Sequence, residues 1–359
     1  MIPDRVNKLC ALLREKELDA VFITNESNVR YLSGYTNHDA SLFISAAGDR
    51  RLITDFRYDE QARSECPDYQ VQAFVKGKGG LYQTLADDCA NCGVKRLGFE
   101  AAAITHAGYL LLAAALQGIE AVDCGPLAES LRYVKDEGEE DLLRYACAAT
   151  DRVFARTCGY IRPGLTEKRL EWQMLTFIND EGCGSSFQPI VVSGERCSLP
   201  HGMAGDRVLR SGDFITMDFG CLYQGYHADM TRTVLLGKPD AKQQEIYDIV
   251  LDAHLRARAA IQAGVLGSVV DAAARDYITD RGYGDNFGHG LGHGVGLDIH
   301  EEPFMGRACE RVLEEGCFVT VEPGIYIPGW GGVRIEDTVK VTAEGSESLF
   351  TSSKELICL

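Results

Sequence analysis

Four acidic residues and one histidine sit in short, patterned contexts that read as one constellation. In Ile215-Thr216-Met217-Asp218-Phe219-Gly220, apolar and polar residues alternate, so Ile215, Met217 and Phe219 face one side of a strand and Thr216 and Asp218 the other. After a turn at Gln224-Gly225 the alternation resumes in His227-Ala228-Asp229-Met230-Thr231-Arg232-Thr233, with His227, Asp229, Thr231 and Thr233 on one face. A hairpin holds same-face residues of neighbouring strands within about 5–8 Å, so Asp218 and Asp229 converge. Glu322 shares a strand face with Thr320, opposite Val319 and Val321, and Glu336 shares one with Arg334, opposite Val333 and Ile335. Carboxylates massed on a half-buried sheet are costly unless something offsets their charge. Divalent cations do so most simply.

The glycine-rich run Gly288-His289-Gly290-Leu291-Gly292-His293-Gly294-Val295-Gly296 lets backbone approach such a site closely and offers His293 as a nitrogen ligand. One imidazole with four carboxylates is a hard, oxygen-rich donor set. It suits Mn, Co or Fe(II), admits Zn, and disfavours a thiolate-type structural zinc site. Two cations need bridging carboxylates, and four acids can supply them. No single residue carries this reading, since a lone strand aspartate is usually a solvated or turn residue and His289 with His293 matches only a loose H-x-x-x-H spacing. Glu139, Glu140 and Asp141 read as a solvated helix start.

The elements that position these residues follow from periodicity. Residues 3–18 form an amphipathic helix pattern, and 20–24, 41–45 and 51–54 read as strands, the last two joined by a turn at Gly48-Asp49. Short helices and strands alternate to Val122, which implies an α/β layer domain with a mixed sheet. Asp123-Cys124-Gly125-Pro126 punctuates the chain and divides it into 1–126 and 127–359. Helices are expected at about 139–161, 166–182, 241–263 and 268–281, with Thr166 as an N-cap, and strands and turns fill the rest from 187. That segregation implies an α+β domain.

A chain of 359 residues is long for one core and agrees with two domains. Its net charge of −17 repels a phosphate backbone, which argues against nucleic acid as a partner. There is no apolar run long enough to span a membrane and no secretory pattern at Met1-Ile2-Pro3-Asp4-Arg5. The 13 cysteines follow no framework spacing, as expected of free thiols in a cytoplasmic protein.

The segments 186–194, Pro200-His201-Gly202, 217–220, 228–233, 292–301, Val321-Glu322-Pro323-Gly324 and 333–337 together resemble the creatinase/prolidase-like metallopeptidases with the pita-bread fold. Residues 3–122, including Arg30-Tyr31-Leu32-Ser33-Gly34-Tyr35, resemble that group's N-terminal domain, which methionine aminopeptidases lack. The resemblance implies a catalytic domain with a curved, mainly antiparallel sheet. It implies that Asp218 binds one metal, His293 and Glu322 the other, and that Asp229 and Glu336 bridge them. His201 and His300 would flank the scissile bond, Glu322 would act as general base, and Thr231 and Arg334 would support the ligands. Phe187, His289 and Phe304 are candidate substrate-lining residues; His289 and His227 stand evenly between site wall and structural role.

The expected activity is hydrolysis of the Xaa-Pro bond at the N-terminus of short peptides, by attack of a hydroxide bridging two divalent ions, Mn first and Co, Fe or Zn after it. A homodimer is the expected assembly. An imide nitrogen has no N–H, so the proline ring needs its own pocket. The alternative is an Xaa-Pro dipeptidase, which would hold the substrate's C-terminal carboxylate with an arginine. Prolidases often place one just after the His-Glu-x-Pro segment, where this chain has Phe304, with Arg307 and Arg311 off that position. A metal-free hydrolase, a lyase or a non-catalytic binding protein on the same fold are further alternatives, disfavoured by the complete ligand set.

Overall fold

The computed structural model describes residues 2–75 and 80–359. The chain divides into two compact units, Met1–Arg132 and Tyr133–Leu359.

The first unit is an α/β layer. Its strands are β1 (Ala20–Ile23), β2 (Ala40–Ser45), β3 (Arg50–Thr54), β4 (Gln70–Ala73), β5 (Arg96–Phe99) and β6 (Glu120–Asp123), in the order β4-β3-β2-β1-β5-β6. β1 runs antiparallel to β2 and parallel to β5, so the sheet is mixed. Helices α1 (Ile2–Glu15), α2 (Glu26–Ser33), α3 (Asp59–Glu65), α4 (Gly80–Asn91), α5 (His106–Ala115) and α6 (Leu127–Arg132) flank it. Phe22, Phe43, Leu85, Leu97 and Leu112 form the core on one side. α6 lies beyond the punctuation at 123–126 yet belongs to this unit. The Tyr31 hydroxyl donates to the Leu131 carbonyl at 2.8 Å, and Arg132 donates to Asn28 at 2.9 Å.

The second unit opens with α7 (Glu137–Tyr160) and α8 (Glu167–Asp180). Asp136 caps α7 in a reciprocal box with Glu139, and Thr166 caps α8 through the Arg169 N–H. The expectation of a solvated acidic start is corrected at Glu139. Its side chain is buried and accepts the Tyr226 hydroxyl at 2.9 Å, a partner 87 residues away.

Short antiparallel strands follow: β7 (Gly184–Ser185), β8 (Ile190–Ser193), β9 (Phe214–Phe219), β10 (Cys221–Tyr223), β11 (Tyr226–His227) and β12 (Met230–Leu235). After helices α9 (Ala241–Ala260) and α10 (Gly267–Asp280) come β13 (Gly292–Gly294), β14 (Glu301–Met305), β15 (Phe318–Val321), β16 (Gly324–Ile327), β17 (Gly331–Arg334), β18 (Asp337–Thr342) and β19 (Gly345–Ser348). They form sheets ordered β12-β9-β8, β14-β13-β15-β18-β19, β11-β10-β7 and β16-β17. This is the α+β arrangement expected of a pita-bread domain.

The hairpin at 215–233 is not continuous. β9 pairs with β12, with Asp218 opposite Thr231, while the turn at 224–225 closes a separate ribbon, β10 with β11. The chain bends at Gly220, where a Cβ would overlap the Ala228 carbonyl. Strict alternation does not reveal that bend, because both sides of it alternate.

Ile246, Val250, Ala253 and Ala257 of α9 and Val270, Ala274 and Ile278 of α10 share one core with Val319, Val321, Val333, Ile335 and Val339. Each fully buried Val, Leu or Ile side chain contributes about 1.5–3 kcal/mol. This core holds the strands that carry the acidic residues by their apolar faces.

Candidate metal centre

Asp218 projects from β9, Asp229 immediately precedes β12, His293 is the middle residue of β13, Glu322 follows β15, and Glu336 lies between β17 and β18. Three strand ends and two strand interiors therefore meet at one cavity of about 420 Å³, lined by all five residues. The tightest group is Asp229, His293 and Glu336, whose nearest ligand atoms all lie within 4.8 Å of one another. Glu322 joins through His293, whose Nε2 is 3.5 Å from Glu322 Oε1 and 3.6 Å from Asp229 Oδ2. Gly292 makes the approach possible, since a Cβ there would strike the Thr320 carbonyl.

The imidazole is prepared as a ligand. His293 Nδ1 lies 3.0 Å from the Gly294 carbonyl, which only accepts, so Nδ1 carries the proton and Nε2 presents its lone pair to the acids. Burial, with the neighbouring His300 charge opposing protonation, lowers its pKa to about 4.

The carboxylates are under-satisfied. Asp218 Oδ1, Asp229 Oδ1 and Glu336 Oε1 are buried and have no hydrogen-bond partner among the described residues. Their second oxygens are placed by the protein. Arg334 Nη2 donates to Asp218 Oδ2 at 2.6 Å, and the Thr231 hydroxyl donates to Glu336 Oε2 at 2.6 Å. Burial and then the mutual repulsion of the acids push Asp229 and Glu336 well above the carboxylate range. Glu322 is pushed up to about 8, by burial first and then by the charge of Asp218, against the pull of Arg334. Buried charges without counterions are expensive, and carboxylates with orphaned oxygens beside a neutral imidazole are the donor set a divalent cation completes.

Arg334 and Thr231 form a continuous support. Arg334 Nε donates to the Thr231 hydroxyl at 3.0 Å, so one guanidinium reaches Asp218 directly and Glu336 through Thr231. Its Nη1 donates to the Tyr326 hydroxyl at 3.0 Å. Tyr326 in turn donates to His289 Nε2 at 2.9 Å, because His289 Nδ1 is committed to the Gly290 carbonyl at 2.7 Å. Burial lowers the His289 pKa to about 4, which keeps it the acceptor in this chain. No sequence pattern marks Tyr326 as part of the site. It lies in Gly324-Ile325-Tyr326-Ile327, where alternation alone marks only a strand.

His201, His300, His289, Phe187 and Phe304 all line the cavity. The His300 ring stands edge-on to His293 with centroids 4.4 Å apart, and its pKa is lowered, mainly by burial. Phe304 is 53% exposed at the rim. His227 is not among the lining residues: its Nδ1 meets the Ser186 hydroxyl at 2.9 Å and its N–H donates to the Gly296 carbonyl at 2.9 Å, which ties two loops together.

Comparison with known proteins identifies the family of both parts of the chain. The profile of Metallopeptidase family M24 matches residues 141–343, and that of the Creatinase/Prolidase N-terminal domain matches residues 5–134. An Xaa-Pro dipeptidase of Pyrococcus horikoshii is 35% identical over 358 residues, covering 99% of each chain. Among solved structures, an Xaa-Pro dipeptidase from Bacillus anthracis superposes with a TM-score of 0.96 at 41% identity over 100% of both chains. An X-Pro aminopeptidase from Thermotoga maritima superposes with a TM-score of 0.92 at 35% identity over 99% of both.

Proposed function

The chain belongs to metallopeptidase family M24, whose members use divalent metal ions, and from that premise we propose that it is an Xaa-Pro aminopeptidase, removing the residue in front of proline from short peptides. The observation that carries the reading is the set of buried carboxylates with orphaned oxygens that share one cavity with His293, whose Nε2 stands 3.6 Å from Asp229 Oδ2. Asp218, Asp229, His293, Glu322 and Glu336 would hold two cations, with Asp229 and Glu336 shared between them. Manganese is the first candidate, with Co, Fe and Zn behind it for an oxygen-rich donor set. Bound cations would polarise the scissile carbonyl and acidify a water to near neutral pH.

The remaining work falls to side chains. Glu322 takes the proton of the attacking water and delivers it to the proline nitrogen, which leaves as a secondary amine. His300, neutral at pH 7 by its lowered pKa, donates an N–H to the developing oxyanion, and His201 stands on the same cavity wall. Phe187, Ile299 and Phe304 offer apolar surface to the proline ring, which has no N–H to satisfy. Arg334 and Thr231 hold Asp218 and Glu336 in place.

The aminopeptidase reading rests on Arg334. Among the described lining residues it is the only lysine or arginine, and its Nε, Nη1 and Nη2 already donate to Thr231, to Tyr326 and the Pro200 carbonyl, and to Asp218. Arg311 lies over the Tyr133 ring at 4.3 Å. Among the described residues that line the cavity, no second lysine or arginine is present to clamp a dipeptide's carboxylate. The names of two relatives favour the second reading, an Xaa-Pro dipeptidase. We further propose a cytoplasmic homodimer that binds neither nucleic acid nor membrane. All 13 cysteines are free, and among the described residues no helix is long and apolar enough to cross a membrane.

The test is a product assay on metal-stripped protein resupplied separately with Mn, Co or Zn. Xaa-Pro-Yaa cleavage well above Xaa-Pro cleavage, with none of the Ala-substituted peptide, is the expected result. Preference for the dipeptide selects the second reading, and no cleavage by folded, metal-loaded protein rejects both.

A further inference from the structure

Behind the carboxylates, on the face of the sheet turned to α9, lies a second polar group that does not line the cavity. Val321 of β15 and Asp337 of β18 are partners in their ladder. Glu322 follows one and Glu336 precedes the other, so this rung sets where both acids leave the sheet. His254 of α9, fully buried, spans the rung. Its Nδ1 donates to the Val321 carbonyl at 3.0 Å, and its Nε2 stands 3.7 Å from Asp337 Oδ2. That same oxygen takes Lys354 Nζ and the Ser348 hydroxyl, each at 2.8 Å.

The other oxygen of Asp337 accepts Arg232 Nη2 at 2.8 Å, while Arg232 Nη1 donates to the Glu336 carbonyl at 2.5 Å and the Thr231 carbonyl at 2.9 Å. Thr338 completes the frame by donating to the Asp229 carbonyl at 3.0 Å. Lys354 is itself fixed from both sides. Arg232 donates to the carbonyls of Ser352 and Ser353, each at 3.1 Å, and the Tyr247 hydroxyl donates to the Lys354 carbonyl at 2.8 Å. Asp229, Glu322 and Glu336 are thus fastened through their backbone from a cluster that touches none of their carboxylates.

We infer that His254 and Lys354 are positioning residues for the metal centre, setting the separation of Glu322 and Glu336 through the Val321–Asp337 rung. The inference rests on the proposed metal reading. Both acids sit just outside regular strands, where each N–H is held once, Glu322 by the Leu291 carbonyl at 2.8 Å and Glu336 by the Thr231 carbonyl at 3.1 Å, so the rung behind them adds to a sparse set of restraints, and cation sites tolerate ligand errors of only about 0.2 Å. A cluster that served stability alone would have no reason to move metal affinity.

The experiment compares His254→Leu and Lys354→Met with His254→Gln and Lys354→Arg. For each, Mn(II) dissociation constants are measured by competition with a chelating dye, together with the unfolding midpoint of metal-free protein and kcat and KM on an Xaa-Pro-Yaa peptide. Loss of either contact is expected to raise the Mn(II) dissociation constant roughly 10- to 100-fold and to lower kcat with KM nearly unchanged. The Gln and Arg variants, which keep a donor in place, recover most of the loss. Lys354 is 17% exposed, so its variant carries the test should the His254→Leu chain not fold. Lower midpoints with wild-type Mn(II) affinity and kcat overturn the positioning role. Failure of wild-type protein to bind Mn(II) overturns it together with the metal reading.

Discussion

Glu336 and Asp337 are consecutive, buried and chemically alike, and the protein treats them in opposite ways. Glu336 faces Asp229, Asp218 and Glu322, keeps an oxygen without a partner among the described residues, and is pushed above the usual carboxylate range by burial and then by the charges of Glu322 and Asp218. Asp337 faces the reverse side, where burial is outweighed by Arg232, His254 and Lys354, and its carboxyl is held far below that range. The difference separates two uses of buried charge. Asp337 is neutralised by the chain itself and holds structure. Glu336 and its neighbours are left incomplete, so the protein carries a destabilising site that a ligand from outside must complete.

Breaking each side of this pair should give different signatures. The largest effect is expected from Glu336→Gln, which removes a ligand without changing shape: metal-dependent hydrolysis should fall to background in a peptide-release assay, whatever divalent ion is supplied. Asp337→Asn should instead cost about 3–5 kcal/mol of folding stability, because it strands Arg232 and Lys354 in a buried setting. Chemical denaturation should read that loss with and without metal.

The pH dependence sharpens the contrast. Glu322 rises from 4.5 to about 8 on folding, so the stability it contributes to metal-free protein is present at low pH and is lost as pH climbs through about 8. Asp337 is lowered from 3.8, so its contribution is present above that value and is lost only on acidification below it. Denaturation midpoints of metal-free protein should therefore decline from pH 5 to pH 9, and saturating Mn(II) should flatten the decline. The smallest effect is expected from Tyr326→Phe, which keeps the ring but cuts the link between Arg334 and His289. A loss of about tenfold in kcat, with folding stability nearly intact, is the expected reading from steady-state kinetics.

Much of the centre is legible in the sequence. Alternation around Asp218, Thr320-Val321-Glu322 and Arg334-Ile335-Glu336 assigns the acids to one side of strands whose other side is apolar, and α9 and α10 cover that apolar side. The Gly-His-Gly pattern gave His293 because a close backbone approach leaves a recurrent mark. The reverse cluster left no such mark. Arg232 and Asp337 are 105 residues apart, and His254 lies on a helix whose apolar stripe reads as core. Tyr326 leaves no mark for the same reason: its partners, Arg334 and His289, come from other elements. Glu139 looked like a solvated helix start until folding brought Tyr226 to it. Local pattern records which face a residue occupies; it does not record which distant residue meets it there.

The most direct test of an unfinished metal centre is the unfolding midpoint of wild type and Glu336→Gln at pH 8, each with and without saturating Mn(II). Without metal the variant should be the more stable, since the wild type must bury the Glu336 charge or take up a proton to fold, and the amide does neither. With metal the order should reverse, because only the wild type gains binding energy in the folded state. The same order in both conditions, or no response of the wild type to Mn(II), would contradict the account.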